Sequence, residues 1–274
     1  MPDRLFAAVQ RQLPQHALTS WMGRLAASET VWIKDTFIRI FSTIYEVDLT
    51  DAERPHQSDY RSFNDFFTRA LKPGSRPFPA DSRSIASPAD GTVSQSGRIE
   101  TGTLLQAKGV RYSLHSLAGQ LGDGFDGGNF VTVYLAPHNY HRVHTPCAGE
   151  LTAAQAIPGA LYSVNEATEA SVPDLFCRNE RLVCRLATPC GDLLIVLVGA
   201  LIVGSIVTPW AGPASPHAGP ETHRPNQVMS TGDELARFQL GSTVILCTPP
   251  GSARLDTLPT GKSLRVGEAI GAWT

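Results

Sequence analysis

The longest apolar run in the chain, residues 193–207, is broken by Gly199, Gly204 and Ser205. A helix that spans a bilayer needs about 20 largely uninterrupted apolar residues. This run is shorter and rich in Val and Ile, so it predicts two consecutive buried strands, over residues 193–198 and 201–207. The rest of the chain follows the same pattern, with 24 Gly and 20 Pro separating many short apolar segments into a turn-rich, mostly β body. Residues 129–135 alternate and stop at Ala136-Pro137, and Ser87-Pro88-Ala89-Asp90-Gly91-Thr92-Val93 reads as a tight turn entering a strand. Residues 211–225 are rich in Gly and Pro and read as a long surface loop of the kind that often carries function.

With 274 residues, 42% hydrophobic and 18% charged, the chain is large enough for a well-buried core and too apolar to be disordered. A net charge of −2 argues against a nucleic-acid partner and leaves apolar surface as the means of reaching a membrane. Five cysteines with no C-x-x-C pair argue against a disulfide framework and a thiolate zinc site, and fit a reducing compartment. Met1-Pro2-Asp3-Arg4 leads into no continuous apolar segment, so no secretory signal is expected.

The first fifty residues are different in kind. Phe6, Val9 and Leu13 fall at helical spacing, as do Leu18, Trp21, Met22 and Leu25, with Pro14 between the two sets. Ile33, Phe37, Ile40, Phe41 and Ile44 form the clearest apolar stripe. Such helices either pack on the core or lie in a membrane interface anchored by Trp21 and Trp32, and the spacing suits both. Residues 51–60 read as a polar linker. Ser62-Phe63-Asn64-Asp65 resembles a capping box opening a short helix with Phe63, Phe66, Phe67 and Leu71 on its apolar face, ended by Lys72-Pro73-Gly74.

Three groups bear chemistry: Asp90 in its turn, the histidines of Pro137-His138-Asn139-Tyr140-His141-Arg142-Val143-His144, and Ser242 in Leu240-Gly241-Ser242-Thr243. A serine hydroxyl needs a neutral imidazole to take its proton, best held by a carboxylate, and Asp, His, Ser is one permitted chain order. The histidines at i, i+3 and i+6 also suggest zinc, but extended backbone would put His141 on the face opposite His138 and His144. No metal is expected, and His138 is the best candidate for a structural histidine. Gly-Ser occurs four times, at Gly74-Ser75, Gly204-Ser205, Gly241-Ser242 and Gly251-Ser252. Only the third stands between an amphipathic lead (Glu234, Leu235, Phe238, Leu240) and an apolar strand, Val244-Ile245-Leu246-Cys247. No G-x-S-x-G of a conventional hydrolase is present.

Taken in order, Phe63-Asn64-Asp65-Phe66-Phe67-Thr68-Arg69, Pro88-Ala89-Asp90-Gly91, Tyr140-His141-Arg142-Val143-His144, Phe176-Cys177-Arg178-Asn179-Glu180-Arg181, residues 198–205, Trp210-Ala211-Gly212 and Leu240-Gly241-Ser242-Thr243 resemble the bacterial, pyruvoyl-dependent phosphatidylserine decarboxylase family over nearly the whole chain. The resemblance implies an α+β, mostly β protein. Its catalytic body, residues 51–274, would be an antiparallel barrel- or sandwich-like sheet, and residues 1–50 would be helices that associate with a membrane. It implies self-cleavage between Gly241 and Ser242, giving a β chain (1–241) and an α chain (242–274) that stay together. Asp90 would orient His144, and His144 would deprotonate Ser242, which becomes the pyruvoyl cofactor. His141 would donate the proton when phosphatidylserine, held as a Schiff base, is decarboxylated to phosphatidylethanolamine. A homodimer on the cytoplasmic face of the bacterial membrane is the implied setting.

Three rival readings stand beside this one. The Pro88–Val93 turn is similar to those of small β carriers, which need a lysine at a hairpin tip; Lys72, Lys108 and Lys262 are poorly placed for that. An uncut Ser-His-Asp hydrolase is the second. A pyruvoyl decarboxylase acting on another amine is the third, and the apolar N-terminus favours lipid over a soluble amino acid.

Overall fold

Seven consecutive residues, Ser242–Thr248, are buried without exception and form the strand on which the molecule is built. The computed structural model describes residues 15–106, 109–200, 206–214, 221–239 and 242–274. Six strands carry the main sheet: β1 (Gly91–Arg98), β2 (Asn129–Leu135), β3 (Gly149–Ile157), β4 (Arg181–Thr188), β5 (Gly191–Val198) and β6 (Ser242–Thr248). They lie in the order β3-β4-β5-β6-β2-β1, every neighbouring pair antiparallel. Short strands Glu221–His223 and Gln227–Met229 extend the β3 edge, and Ser263–Leu264 extends the β1 edge.

Both faces of the sheet are covered. Val244 and Leu246 of β6 join one apolar cluster with Val131, Val133, Leu193, Ile195 and Leu197. Ile245 and Cys247 join a second, with Phe130, Leu194, Val196 and Phe176. Period-two alternation thus feeds two cores, which is why these strands read as continuous apolar runs. Burying each Val, Leu or Ile of β6 contributes about 1.5–3 kcal/mol.

The mostly antiparallel β expectation matches the structure, but among the described residues the sheet path is open and does not close into a barrel. The first strand expected in the long apolar run is β5. Of the second, residues 201–205 lie outside the described set, and Ile206–Thr208 pairs in a separate sheet with Gly212–Ala214 and Glu234–Phe238. The expected loop at 211–225 therefore contains two short strands, Gly212–Ala214 and Glu221–His223, each captured by hydrogen bonds to a neighbour.

Among the described residues three α-helices precede the sheet: α1 (Gln15–Ala26), α2 (Val31–Tyr45) and α3 (Phe63–Phe67). The expected helical spacing of Phe6, Val9 and Leu13 falls outside the described residues. The α2 stripe divides. Ile38 and Phe41 are buried with Phe63, Phe66, Phe67 and Tyr60, and Phe37 packs at the rim. Ile40 and Ile44, at 52% and 66% exposure, face outward together with Trp32 at 72%. The core-packing reading thus holds for one face of this helix, and the other face is left exposed. At the start of α3, Ser62 Oγ accepts from the Asp65 amide, but the Asp65 carboxylate takes Arg61 N and the Arg54 guanidinium instead of closing the box. Among the described residues no helix is long and apolar enough to cross a membrane.

Candidate active site

Ser242 is the first residue of β6 and has no exposed surface. Its register partner is Leu135, the last residue of β2, so the segment leaving β2 must pass over the head of β6. That segment turns at once: Asn139 Oδ1 accepts from Ala136 N at 2.7 Å, and Asn139 N donates to Ala136 O at 2.9 Å. The chain then enters the strand Arg142–His144, paired with Glu234–Phe238. Phe238 N donates to His141 O at 2.9 Å, and Ser242 lies only four residues beyond Phe238. One short strand pairing therefore delivers both His141 and Ser242 to the same point. Leu240 and Gly241, which join them, are outside the described residues.

His141 is fully buried. Its Nε2 lies 3.1 Å from Ala136 O, which can only accept, so Nε2 carries the proton. Nδ1 is then an acceptor, and it faces Ser242 Oγ at 3.5 Å. That contact is long for a hydrogen bond, and a shift of about half an ångström would make it a good one. Burial, with a further contribution from the Arg69 charge, pushes the ring's pKa down to about 3, so the imidazole is neutral.

The other sequence candidates have partners of their own. His144 donates from Nδ1 to Gly232 O at 2.8 Å and accepts at Nε2 from the Tyr140 hydroxyl at 2.9 Å. Burial lowers its pKa as well, and pushes the Tyr140 phenol up to about 12. Asp90 receives Arg76 at both carboxylate oxygens, with a closest approach of 2.6 Å, and the Val266 amide at 2.7 Å. Gly91 follows it because a Cβ there would overlap Tyr134 O. Pro88 O accepts from His144 N, so the Asp90 turn and the His144 strand are tied through their backbones. The side-chain relay Asp90–His144–Ser242 is not formed in this conformation: a bidentate guanidinium holds the carboxylate more strongly than a neutral imidazole would.

His138, expected to be the structural histidine, is exposed, and it is the loop's turn that puts it there. Its carbonyl is used instead, accepting from Arg69 Nη2 at 2.9 Å. The turn also removes the extended geometry assumed for the three histidines. Among the described residues no three His, Cys, Asp or Glu side chains are grouped to hold a metal ion. Sequence reasoning missed Phe67, whose ring stacks on His141, and Tyr140 and Arg76, which occupy His144 and Asp90. Phe67 and Tyr140 lie inside runs that were singled out, but their partners are set by tertiary contacts that no spacing encodes.

Burial of these groups gives the protein a defined pH response. Between pH 6.5 and about 3, unfolded His141 binds a proton that the folded ring refuses. Stability from this ring is therefore complete above pH 6.5 and falls by about 1.4 kcal/mol per pH unit on acidification. Glu180 acts oppositely. Burial raises its carboxyl from 4.5 to about 7, so its contribution is complete below 4.5 and is lost as pH rises through 7. Urea melts from about pH 4 to 8 should show the acid-side slope flattened in His141→Gln and the neutral-side slope flattened in Glu180→Gln.

Comparison with known proteins gives the family of the chain. The family model described as phosphatidylserine decarboxylase matches residues 63–272, and a second, described as PSD, matches residues 5–46. The phosphatidylserine decarboxylase proenzyme of Hahella chejuensis is 47% identical over 98% of this chain and 94% of its own length. Those of Alcanivorax borkumensis and Azotobacter vinelandii are 45% and 47% identical, each over 99% of this chain and covering 97% and 99% of their own lengths. From the run around Phe63 to the last strand, the chain belongs to the phosphatidylserine decarboxylase family.

Proposed function

We propose that this chain is the precursor of a phosphatidylserine decarboxylase that cuts itself between Gly241 and Ser242 and converts Ser242 into a pyruvoyl group. The observation that carries the reading is the wholly buried Ser242 at the head of the central strand, with a neutral imidazole facing its Oγ. The residues fit such a group. Ser242 and Thr243 are buried, the Thr243 hydroxyl has no partner among the described residues, and β6 is held by β2 and β5 on either edge. When present, the pyruvoyl carbonyl supplies the electron sink for decarboxylation that no encoded side chain offers.

In the cut, Ser242 Oγ gives its proton to an imidazole and attacks the Gly241 carbonyl. The Gly241–Ser242 C–N bond breaks as the acyl group passes to Oγ. Loss of the α-proton of residue 242 then expels Gly241 as a carboxylate C-terminus, and water replaces the nitrogen of residue 242 by oxygen, releasing ammonia. We assign the base to His144, oriented by Asp90, and give His141 the later task of delivering a proton at the lipid carbon. For this, His144 must exchange Tyr140 and Gly232 for Ser242. The 3.5 Å contact of His141 Nδ1 favours a second assignment, in which His141 itself is the base of the cut. A mass spectrum of the purified protein tests the whole reading. Fragments 1–241 and 242–274, the smaller carrying a pyruvoyl mass and reacting with borohydride, are expected; an intact chain alone would refute it.

A diacyl lipid leaves a bilayer at a cost of about 0.8 kcal/mol per exposed CH₂, so the enzyme must go to the membrane. The outward face of α2 and Trp21 of α1 are the surface proposed to dock, on the cytoplasmic side of the bacterial membrane, with the protein as a homodimer whose mass light scattering reads. Because α2 also covers buried rings, deleting residues 1–50 would damage the fold. Replacing Trp32, Ile40 and Ile44 by Ser leaves the inner face intact. This variant should no longer float with liposomes, and undiminished flotation would remove α2 from the role.

A further inference from the structure

Phe67, the last residue of α3, lies flat against the His141 imidazole, with ring centroids 4.0 Å apart and planes inclined by 24°. Both side chains are completely buried. Phe67 is in turn fixed by Phe63, stacked at 5.9 Å, and by Phe41 of α2, edge-on at 5.7 Å. The two residues after it hold the backbone on either side of the histidine: Thr68 O accepts from Arg142 Nε at 2.9 Å, and Arg69 Nη2 donates to His138 O at 2.9 Å.

The imidazole needs such a support. The ring torsion of histidine is broad and two-fold, so covalent geometry does not fix the plane of the ring. The Nε2 bond to Ala136 O fixes one point of it, and the 3.5 Å approach of Nδ1 to Ser242 is too long to fix a second. A flat ring on one face of the imidazole restricts the remaining rotation and keeps water from it. We propose that Phe67 is a positioning residue for His141, setting the plane in which the imidazole meets residue 242. This rests on the assignment of His141 to chemistry at residue 242, and it adds a residue that itself touches neither lipid nor pyruvoyl.

Phe67→Leu keeps an apolar side chain of similar bulk and removes the flat surface. The variant is purified, its pyruvoyl content is counted by mass, and kcat is expressed per pyruvoyl group on a short-chain phosphatidylserine in detergent. The expected result is a fall in kcat of at least about ten-fold with KM within about two-fold. The NMR titration of the His141 ring should also move up from about 3 by at least one pH unit, as water reaches it. An unchanged kcat overturns the proposal. So does a lower kcat with an unmoved titration, which would place the loss away from the imidazole. If Phe67→Leu stays uncut, the same titration on the uncut chain decides, an upward move supporting the proposal and no move refuting it. Absence of pyruvoyl from the unaltered protein would instead refute the functional reading, and the titration would still judge the stack.

Discussion

Ser242→Ala is expected to run as a single 29.5 kDa chain and to release no carbon dioxide from phosphatidylserine. The substitution removes one oxygen that, among the described residues, has a single long contact, so folding should survive with a stability change of about 1 kcal/mol or less. Activity should not survive at all, because the atoms that become the prosthetic group are gone. The matched control is Ser252→Ala, in the Gly251-Ser252 pair. Ser252 Oγ donates to Pro249 O in a turn beyond the far end of β6, and its loss should leave the cut intact. A cut and active Ser242→Ala protein, seen on a denaturing gel and in a carbon dioxide assay, would end the proposal.

The second large effect separates the two histidines. His141→Ala should still cut but turn over about 10²–10⁴-fold more slowly, the usual worth of a positioned general acid. His144→Ala should remain one chain. The opposite outcome, with His141→Ala uncut and His144→Ala cut, would establish the second assignment and make the contact seen in the precursor the productive one. Normal turnover in His141→Ala would remove that residue from the chemistry. His141 is fully buried and His144 half-buried, with different ring partners, so a urea melt of each alanine variant separates loss of function from loss of fold.

Much of the fold was legible because burial writes itself into periodicity. β2 and β5 coincide closely with their apolar runs, and the α2 stripe predicted the helix, although one face of that stripe serves the core and the other remains exposed. Ser242 was separable from the other Gly-Ser serines by the apolar strand behind it. The partners within the site were less legible. Asp90, His144 and Ser242 are the residue types a relay needs, yet Arg76, Tyr140 and Gly232 O hold the first two in this conformation. Those contacts join positions 4 to 88 residues apart and depend on how loops cross, which no local pattern specifies. His138 is exposed because the segment 136–141 turns, which the spacing of the histidines does not reveal.

The position of β6 has a consequence for the life of the protein after processing. Before the cut, a chain that unfolds carries its central strand with it and can refold alone, at a rate independent of dilution. Afterwards the strand between β2 and β5 belongs to a separate molecule, and unfolding becomes dissociation. Recovery then requires two partners to meet while the large fragment exposes an apolar slot the width of a strand, and aggregation competes at every concentration. Self-cleavage would thus exchange a reversible folding equilibrium for persistence set by the rate of opening. The same event that completes the active site would commit the molecule to a single folding history.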